Sequence, residues 1–480
     1  MIPITTFAGK DVAVFGLGAS GNATAAALIA GGATVAAWDD TEPGRASAAA
    51  AGVPLVDLAE ADWSRFSALV LAPGVPLTHP EPHWVVKRAQ EAGVEVIGDI
   101  ELFCRERRAR CPETNFIAIT GTNGKSTTTA LIAHILKEAG HDVQLGGNIG
   151  RAILTLDDVT PERIYVVECS SFQIDLAPTL DPTVGVLLNI TPDHLDRHGT
   201  IENYANVKSR LVEGARTSVI GIDRARHDAG DLSGAIFHRL DHDRGNVTAF
   251  TRTPSDVTGY TYHEQGFLKR AVTLGLIGAY VEVLADLKGA RALRGAHNAE
   301  NAAAAFLACE WIGTPHDVIG RGLASFPGLV HRLEEIGRMG NVVFVNDSKA
   351  TNAESTKKAL ASWDRGIHVI LGGKAKDGGI EALRPWFPRI EKAYLIGAAS
   401  RDFARSLGSV VPFEECGTLD VAVARATRDA LAANNEDRVV LLSPACASYD
   451  QYKNFEQRGD HFRALVAREL AAHTGEKGGP

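Results

Sequence analysis

No stretch of 18 consecutive apolar residues occurs in the chain, and its first residues, MIPITTFAGKDVAVFG, carry Lys10 and Asp11 where a leader needs an unbroken apolar core. Neither a membrane span nor a secretory signal is expected, and the cytoplasm is the expected compartment. Cysteine is scarce: six residues (Cys104, Cys111, Cys169, Cys309, Cys416 and Cys446), none of them in a C-x-x-C pair. That scatter supports neither a disulfide framework nor a zinc site, and leaves buried or incidental thiols. Excess positive charge is also missing. The net charge of −9 argues against a nucleic-acid scaffold or an anionic membrane surface as the main partner. Polar low-complexity sequence is confined to the last few residues, EKGGP, so disorder does not describe the chain.

What is present is length and rhythm. A chain of 480 residues exceeds a single core, and three domains are expected. Short apolar runs alternate with longer amphipathic ones, the βαβ pattern of parallel sheets covered by helices, so the fold class is α/β. The early runs Asp11–Phe15, Thr34–Trp38 and Ala68–Leu71 each end in a Gly, Asp or Pro-Gly turn. The middle runs are Phe116–Thr120, IYVVE, VGVLLNI and SVIGI, followed by the Ala-rich helix of AHNAENAAAAFLACEWIG. The late runs are VVFVND, HVILGG, KAYLIG and RVVLLSP. Domain limits of 1–110, 111–331 and 332–480 follow. The segment CRERRARCPET, with four arginines and a proline, suits an exposed linker or a solvated helix end.

The turn Gly16-Leu17-Gly18-Ala19-Ser20-Gly21 follows a strand and opens a helix, and Asp39 ends the next strand 23 residues after Gly16. In that context the pattern is a dinucleotide-type fingerprint: glycines admit a close backbone approach, and free amides at a helix start favour a diphosphate. It specifies a nucleotide diphosphate better than NAD. The bland alternative is a structural strand-to-helix turn.

A second glycine turn, ITGTNGKSTTT from Ile119, matches the phosphate-loop pattern G-x-x-x-x-G-K-[ST] at Gly124-Lys125-Ser126 but has Ile119 where the first glycine belongs. Strand, loop and helix come in the right order, the helix running over Thr127–Ala139 with Leu131, Ile132, Ile135 and Leu136 on its apolar side. Lys125 at the helix start can neutralise β- and γ-phosphate charge, and the Ser126 hydroxyl can ligate Mg²⁺. An ATP site is expected. The architecture expected is a Rossmann-like N-terminal domain, a central P-loop ATPase-type parallel-sheet domain and a C-terminal Rossmann-like domain.

Metal partners of such a loop belong at the carboxyl ends of neighbouring strands. Glu168 closes one such run, and Asp193-His194-Leu195-Asp196 follows another. Alone, Glu168 reads equally as an exposed strand end and His194 as a satisfied loop histidine. Between Thr200 and Val212 the residues Ile201, Tyr204, Ala205, Leu211 and Val212 form one apolar helical face behind an N-cap at Thr200, and Lys208 falls on that same face. An inward lysine snorkels, pairs with a carboxylate, or loses its proton. In the last case its amine is nucleophilic and can take up CO₂ as a carbamate.

Together TGTNGKSTTT, the ECSSFQ block from Glu168, NITPDHLDRHG from Asn189, HNAEN from His297, HRLE from His331 and NDSKATN from Asn346 resemble the Mur ligases, ATP-dependent amide ligases of peptidoglycan precursor synthesis related to folylpolyglutamate synthases. The likeness covers nearly the whole chain. SPACASYDQYKNFEQRGD from Ser443 and VIGDIELF from Val96 are most similar to the member that adds D-glutamate to UDP-N-acetylmuramoyl-L-alanine.

The resemblance implies roles residue by residue. Gly121, Thr122, Asn123, Gly124, Lys125, Ser126 and Thr127 would hold ATP, with Asn298 at adenine and Arg332 and Asp347 completing the nucleotide site from the domain junction. Ser126 and Glu168 would hold one Mg²⁺, and His194 with carbamylated Lys208 a second. Gly16, Leu17, Gly18, Ala19, Asp39 and Gly74 would hold UDP, and Asn148 the muramoyl-alanine portion. Lys349, Thr351, Lys376, Ser448 and the Phe455 backbone would hold glutamate; Lys374 remains an alternative to Lys376. Asp40, an acid where a hydroxyl residue often sits, leaves the uracil contact open. A monomer is expected. The rival readings are a folylpolyglutamate synthase-type ligase, an NAD-dependent oxidoreductase with a regulatory nucleotide-binding domain, and a non-catalytic nucleotide-sensing module.

Overall fold

A computed structural model of the chain describes residues 1–223, 231–252, 259–273, 279–375, 378–432 and 437–476. It divides into two compact units, Met1–Phe326 and Pro327–Pro480. The first unit holds two sheets. In the first of these, β1 (Asp11–Phe15), β2 (Thr34–Trp38), β3 (Phe66–Leu71) and β4 (Glu95–Ile97) lie in the order β2-β1-β3-β4, all parallel.

The second sheet contains β5 (Asn115–Thr120), β6 (Val143–Gly147), β7 (Ile164–Glu168), β8 (Val184–Leu187), β9 (Thr217–Ile222), β10 (Val247–Thr251), β11 (Thr261–Glu264), β12 (Phe267–Thr273) and β13 (Ala279–Asp286). Their order is β13-β12-β11-β10-β9-β8-β5-β7-β6, parallel from β6 to β11 and antiparallel beyond. The central strand β5 is buried from Phe116 to Thr120, as continuous apolar character predicts for a strand covered on both faces. It sits where the strand order reverses, with β7 on one side and β8 on the other. At such a switch point the loops diverge and leave a crevice beyond the carboxyl ends.

The unit Pro327–Pro480 holds β14 (Glu334–Met339), β15 (Val342–Asn346), β16 (Ile367–Gly372), β17 (Ile390–Ile396), β18 (Phe413–Gly417) and β19 (Arg438–Leu442) in the order β14-β15-β19-β16-β17-β18. Only β14 runs antiparallel to its neighbour. The α/β class expected from sequence is thus observed. Among the described residues no helix is long and apolar enough to cross a membrane. Five cysteine thiols are buried and Cys416 is half-buried, all of them unbridged.

The basic segment is the main departure. In place of an exposed linker, residues Asp99–Arg110 form a helix whose Cys104, Glu106 and Arg107 are buried, with Cys111 buried just beyond. Arg107 binds Asp181 at 2.6 Å, Arg105 grips Glu95 and Glu101, and Arg110 reaches Asp158. Sequence composition misleads here because an arginine can expose its charge or pair it with carboxylates, and two of the acids, Asp158 and Asp181, lie far away in the chain. Three carboxylates on the helix point to three different segments. Glu106 accepts from the Thr5 hydroxyl and the Thr6 amide, Glu101 from the Thr179 amide and hydroxyl, and Asp99 from the Ser20 hydroxyl. The helix therefore fastens the first sheet to the second.

Its entry is tight. The Gly98 amide donates to the Leu176 carbonyl at 2.8 Å, and a Cβ on Gly98 would stand 2.8 Å from the Leu176 Cβ. Gly98→Ala is expected to destabilise the protein by about 1–3 kcal/mol through overpacking. Gly320→Ala, in the helix His316–Ser325 with nothing near its would-be Cβ, is expected to stabilise it by about 0.4–1 kcal/mol. Urea unfolding of the two variants measures both shifts.

Candidate active site

After Thr120 the chain turns through Gly121 (φ 150°) and Gly124 (φ 86°) into the helix Lys125–Glu138, which begins two residues earlier than its apolar pattern suggests. Both glycines are required sterically as well as by φ. A Cβ at Gly121 would lie 2.9 Å from the Leu188 Cβ, and one at Gly124 only 2.3 Å from Asn301 Oδ1. Gly124 caps the helix without a side-chain acceptor, and a helix start is a place that favours an anion. The Lys125 Nζ folds back and donates to the carbonyls of Gly121 at 2.8 Å and Thr122 at 3.0 Å. Ser126 is buried at the second helical position.

The segment after β8 laces this loop. Strand pairing stops at Leu187, short of the run read from VGVLLNI, because the next residues bond the phosphate loop instead. The Thr122 amide donates to the Asn189 carbonyl at 2.9 Å, the Asn123 amide to the Asn189 side chain at 2.9 Å, and the Thr191 amide to the Thr122 hydroxyl at 3.0 Å. From the other side Thr128 reaches Asn301 Oδ1 at 3.2 Å, and Asn301 in turn donates to Asn298 at 3.1 Å. Asn298 was expected at the nucleotide; Asn301 was not singled out. The pair shares a helix face at i, i+3 in HNAEN, which is the signal that marks it.

Glu168 ends β7 almost fully buried. Its Oε1 accepts from the Asn148 side chain at 2.7 Å, while its Oε2 is buried with no hydrogen-bond partner. A buried carboxylate oxygen left open is costly unless something fills the place, and a divalent cation meets that need. Asn148, expected to touch substrate, also clamps this carboxylate through its own amide on the Glu168 carbonyl at 2.9 Å.

Lys208 sits in the helix Ile201–Glu213, capped by Thr200 as expected, and is 1% exposed. It neither snorkels nor pairs with an acid. Its Nζ donates to Thr120 Oγ1 at 3.1 Å and to the Gly121 carbonyl at 3.0 Å, and lies 4.7 Å from the centre of the Tyr204 ring. Burial, reinforced by the Lys125 ammonium, holds its pKa well below the usual lysine range.

His194 adopts a left-handed conformation (φ 52°) ahead of the short helix Leu195–His198, half-exposed, with its ring 5.0 Å from that of Phe172. Phe172 also stacks on His198, whose Nε2 pairs with the Ser171 hydroxyl at 2.9 Å. Burial pushes the His198 pKa down to about 4, so its ring is neutral in ordinary buffer. Arg197 covers Phe172 at 4.7 Å and donates to the carbonyls of Gly74 and Val75 at 3.0 Å each. Sequence reading missed Phe172, Arg197 and His198, whose roles arise only from contacts across the sheet. Among the described residues no three His, Cys, Asp or Glu side chains gather as a metal site. A cation here would therefore rely on Glu168 with hydroxyl, carbamate or phosphate oxygens.

In the first sheet Gly16 has φ 92°, and a Cβ on Gly21 would lie 1.9 Å from the Gly16 carbonyl oxygen, so the turn closes only with glycine. Gly18 caps the helix Ala19–Ala30 with no side-chain acceptor. Asp39 takes the Leu17 amide at 2.6 Å on one oxygen and the Thr41 amide and hydroxyl at 2.8 and 2.6 Å on the other. Burial opposes its ionisation, but these donors prevail and hold its pKa below the usual carboxylate value. Asp39 thus shapes the turn. Asp40 is engaged by His83 at 3.1 Å and the Trp84 indole at 3.2 Å.

In the second unit Asp347 accepts from the Ser443 hydroxyl at 2.7 Å and the Leu333 amide at 3.2 Å, close enough to Arg332 to feel its charge. Lys349 lies 3.9 Å over the Phe455 ring. Thr351 follows, its amide on the Lys349 carbonyl at 2.8 Å. Ser448 is buried, and its carbonyl accepts the amides of Gln451 and Tyr452. Lys374 pairs by backbone with Ala447, and Lys376 lies outside the described residues. Arg458, fully buried, binds Ser348 and the Cys446 carbonyl, and was not anticipated.

The sequence has counterparts among known proteins. The Mur ligase middle domain family matches residues 119–309, and the Mur ligase glutamate ligase domain matches residues 331–446. The chain belongs to the Mur ligase family, whose members use ATP and Mg²⁺ in peptidoglycan precursor synthesis. It is 57% identical to the UDP-N-acetylmuramoylalanine–D-glutamate ligase of Rhizobium meliloti strain 1021, over 97% of this chain and 98% of that one. It is 56% identical to the enzyme of the same name from Agrobacterium fabrum over the full length of both. Among solved structures, the UDP-N-acetylmuramate-alanine ligase of Thermotoga maritima is 17% identical with a TM-score of 0.55, covering 96% of this chain and 99% of that one, a likeness of fold. The oxidoreductase reading falls with these findings.

Burial pushes the Asp347 carboxyl up to about 7, the Ser443 and Leu333 donors offsetting only part of that. The folded state therefore holds a proton that the unfolded chain releases near pH 4, and stability falls as pH rises from there towards 7. Asp347→Asn is expected to flatten that slope by about 2–4 kcal/mol between these limits, read from urea unfolding at a series of pH values.

Proposed function

We propose that the chain joins D-glutamate to UDP-N-acetylmuramoyl-L-alanine at the expense of ATP, in the cytoplasm and as a monomer. Its identity to ligases of that name along its whole length carries the reading. A carboxylate does not acylate an amine in neutral water, because its oxygen is a poor leaving group. In the reading adopted, the alanyl carboxylate attacks the γ-phosphorus of ATP, giving an acyl phosphate and ADP. The glutamate amine then attacks the acyl carbon; the new C–N bond replaces the C–O bond to phosphate, and the amine loses a proton.

Both steps bring anions together. The helix start at Gly124 and the Lys125 ammonium would hold the phosphates, which is the positioning and electrostatic work of phosphoryl transfer. Ser126 and Glu168 would hold one Mg²⁺ and His194 with Lys208 a second, and when bound these ions offset phosphate charge. The partnerless Glu168 Oε2 supports the first assignment. For the second, the depressed pKa of Lys208 supports addition of CO₂: the amine nitrogen bonds to carbon, a proton leaves, and a carbamate oxygen becomes available as ligand. Asn298, Arg332 and Asp347 complete the nucleotide contacts. Gly16, Leu17, Gly18, Ala19 and Gly74 hold the UDP portion, with Asp39 bracing the turn. Lys349, Thr351, Ser448 and Phe455 hold glutamate, with a lysine of the 374–376 loop.

Phosphate release from ATP should require both UDP-N-acetylmuramoyl-L-alanine and D-glutamate; release without either, or none with both, refutes the ligase reading. Lys208→Ala should lower turnover about 10–100-fold or more. Bicarbonate should not restore it, whereas short carboxylic acids should do so in part. Unchanged turnover in that variant disposes of the carbamate.

A further inference from the structure

Asp99 enters none of these steps, yet it lies where two of the binding elements meet. Its carboxyl is 5% exposed at the first position of the helix Asp99–Arg110. Oδ2 accepts from the Ser20 hydroxyl at 2.6 Å and Oδ1 from the Ile100 amide at 2.9 Å, and the Gln173 side chain faces the same carboxyl. Ser20 stands in the first turn of the helix that Gly18 opens, the turn read above as a diphosphate site. Gln173 accepts from the amide and hydroxyl of Ser170 at 3.1 and 3.2 Å, two residues beyond Glu168. Asp99 thus lies between the diphosphate turn, which it bonds through Ser20, and the helix Ser171–Asp175 that follows Glu168, whose Gln173 faces its carboxyl. The Gly98 amide on the Leu176 carbonyl and the close approach of Gly98 to Leu176 fix the same junction from a second point.

Ordinary scaffolding needs only that a buried carboxylate be satisfied, and any neighbouring donors would serve. Here the carboxyl bonds the glycine turn and faces the helix that follows the open carboxylate, and the adjoining Gly98 is bonded to the residue that ends that helix. A substrate held by its diphosphate at one end and reacting at its alanyl carboxylate at the other depends on the distance between those two elements. Small displacements of such groups cost rate and affinity steeply. We propose that Asp99 is a positioning residue that sets the spacing between the diphosphate-binding turn and the Glu168 side of the phosphate-loop site; this rests on the ligase reading above.

The test uses the full chain and four variants, Asp99→Ala, Asp99→Asn, Ser20→Ala and the Asp99→Ala/Ser20→Ala double, with folding checked by thermal melting. Affinity for UDP-N-acetylmuramoyl-L-alanine is measured by calorimetry, and the KM values for ATP and D-glutamate by phosphate release. Asp99→Ala and Ser20→Ala should each weaken the UDP-linked substrate about tenfold or more, and the double variant no more than the worse single one, because they break the same hydrogen bond. Asp99→Asn should restore most of the affinity, its amide donating to the Ser20 hydroxyl while its oxygen accepts from the Ile100 amide. The KM values for ATP and D-glutamate should stay within about twofold of wild type. Wild-type affinity in a folded Asp99→Ala variant overturns the proposal, as do multiplying effects in the double variant or equal losses for all three substrates. Should Asp99→Ala fail to fold, Ser20→Ala decides, and unaltered affinity there overturns it. Wild-type protein that binds the UDP-linked compound but releases no phosphate refutes the ligase reading alone; wild-type protein that does not bind it refutes both.

Discussion

The centre of the first unit is organised by the cost of burying one amine. Lys208 reaches the carboxyl end of β5, away from water, and its hydrogen bonds go to Thr120 Oγ1 and the Gly121 carbonyl. Those two residues are the last of the strand and the first of the phosphate loop. A protonated amine at this depth without a carboxylate partner would be expensive, and a second ammonium at Lys125 adds to the expense. The fold is consistent with a neutral amine, and hence with a group that seeks an electrophile. Thr120 cannot drift, because its hydroxyl also donates to the Cys169 carbonyl beside Glu168. Strand, loop, amine and carboxylate are thus held by the same few atoms.

Much of this was legible in the sequence because it depends on local rules. The βαβ rhythm gave strands within a few residues of those observed, and Thr200 was a legible cap for the helix that carries Lys208. The inward direction of Lys208 followed from helical spacing alone. Other features required the third dimension. That Glu168 has one satisfied and one open oxygen depends on Asn148, twenty residues away. That Asp39 ties the glycine turn with one oxygen and its own turn with the other depends on the Leu17 amide, 22 residues away. The stacking of Phe172 between His194, Arg197 and His198 has no periodic signature.

The helix Asp99–Arg110 shows the limit most sharply. Its sequence reads as a basic surface, and its arginines are indeed many, but its structural work is done equally by acids. Asp99, Glu101 and Glu106 each accept hydrogen bonds from a different, distant stretch of chain. Buried carboxylates bonded by hydroxyls and amides specify geometry more strictly than apolar contacts, since each lost donor leaves an uncompensated polar atom. A basic composition therefore concealed an acidic set of fasteners. Of the two readings of this segment the helix end holds in part, with Ala109 and Arg110 exposed, and the exposed linker fails, because composition reports average exposure and says nothing of partners.

The phosphate loop carries a consequence for how this sequence can change. Gly121 is pressed against Leu188, and Gly124 against Asn301, residues 67 and 177 positions farther along the chain. Any side chain at either glycine must be matched by a smaller or withdrawn neighbour, and Asn301 is itself tied to Asn298 and Thr128. Even a paired change that opened the space would leave the positive φ of each glycine, which strains any other residue. Evolution can therefore retune the neighbours of these two positions more readily than the positions themselves.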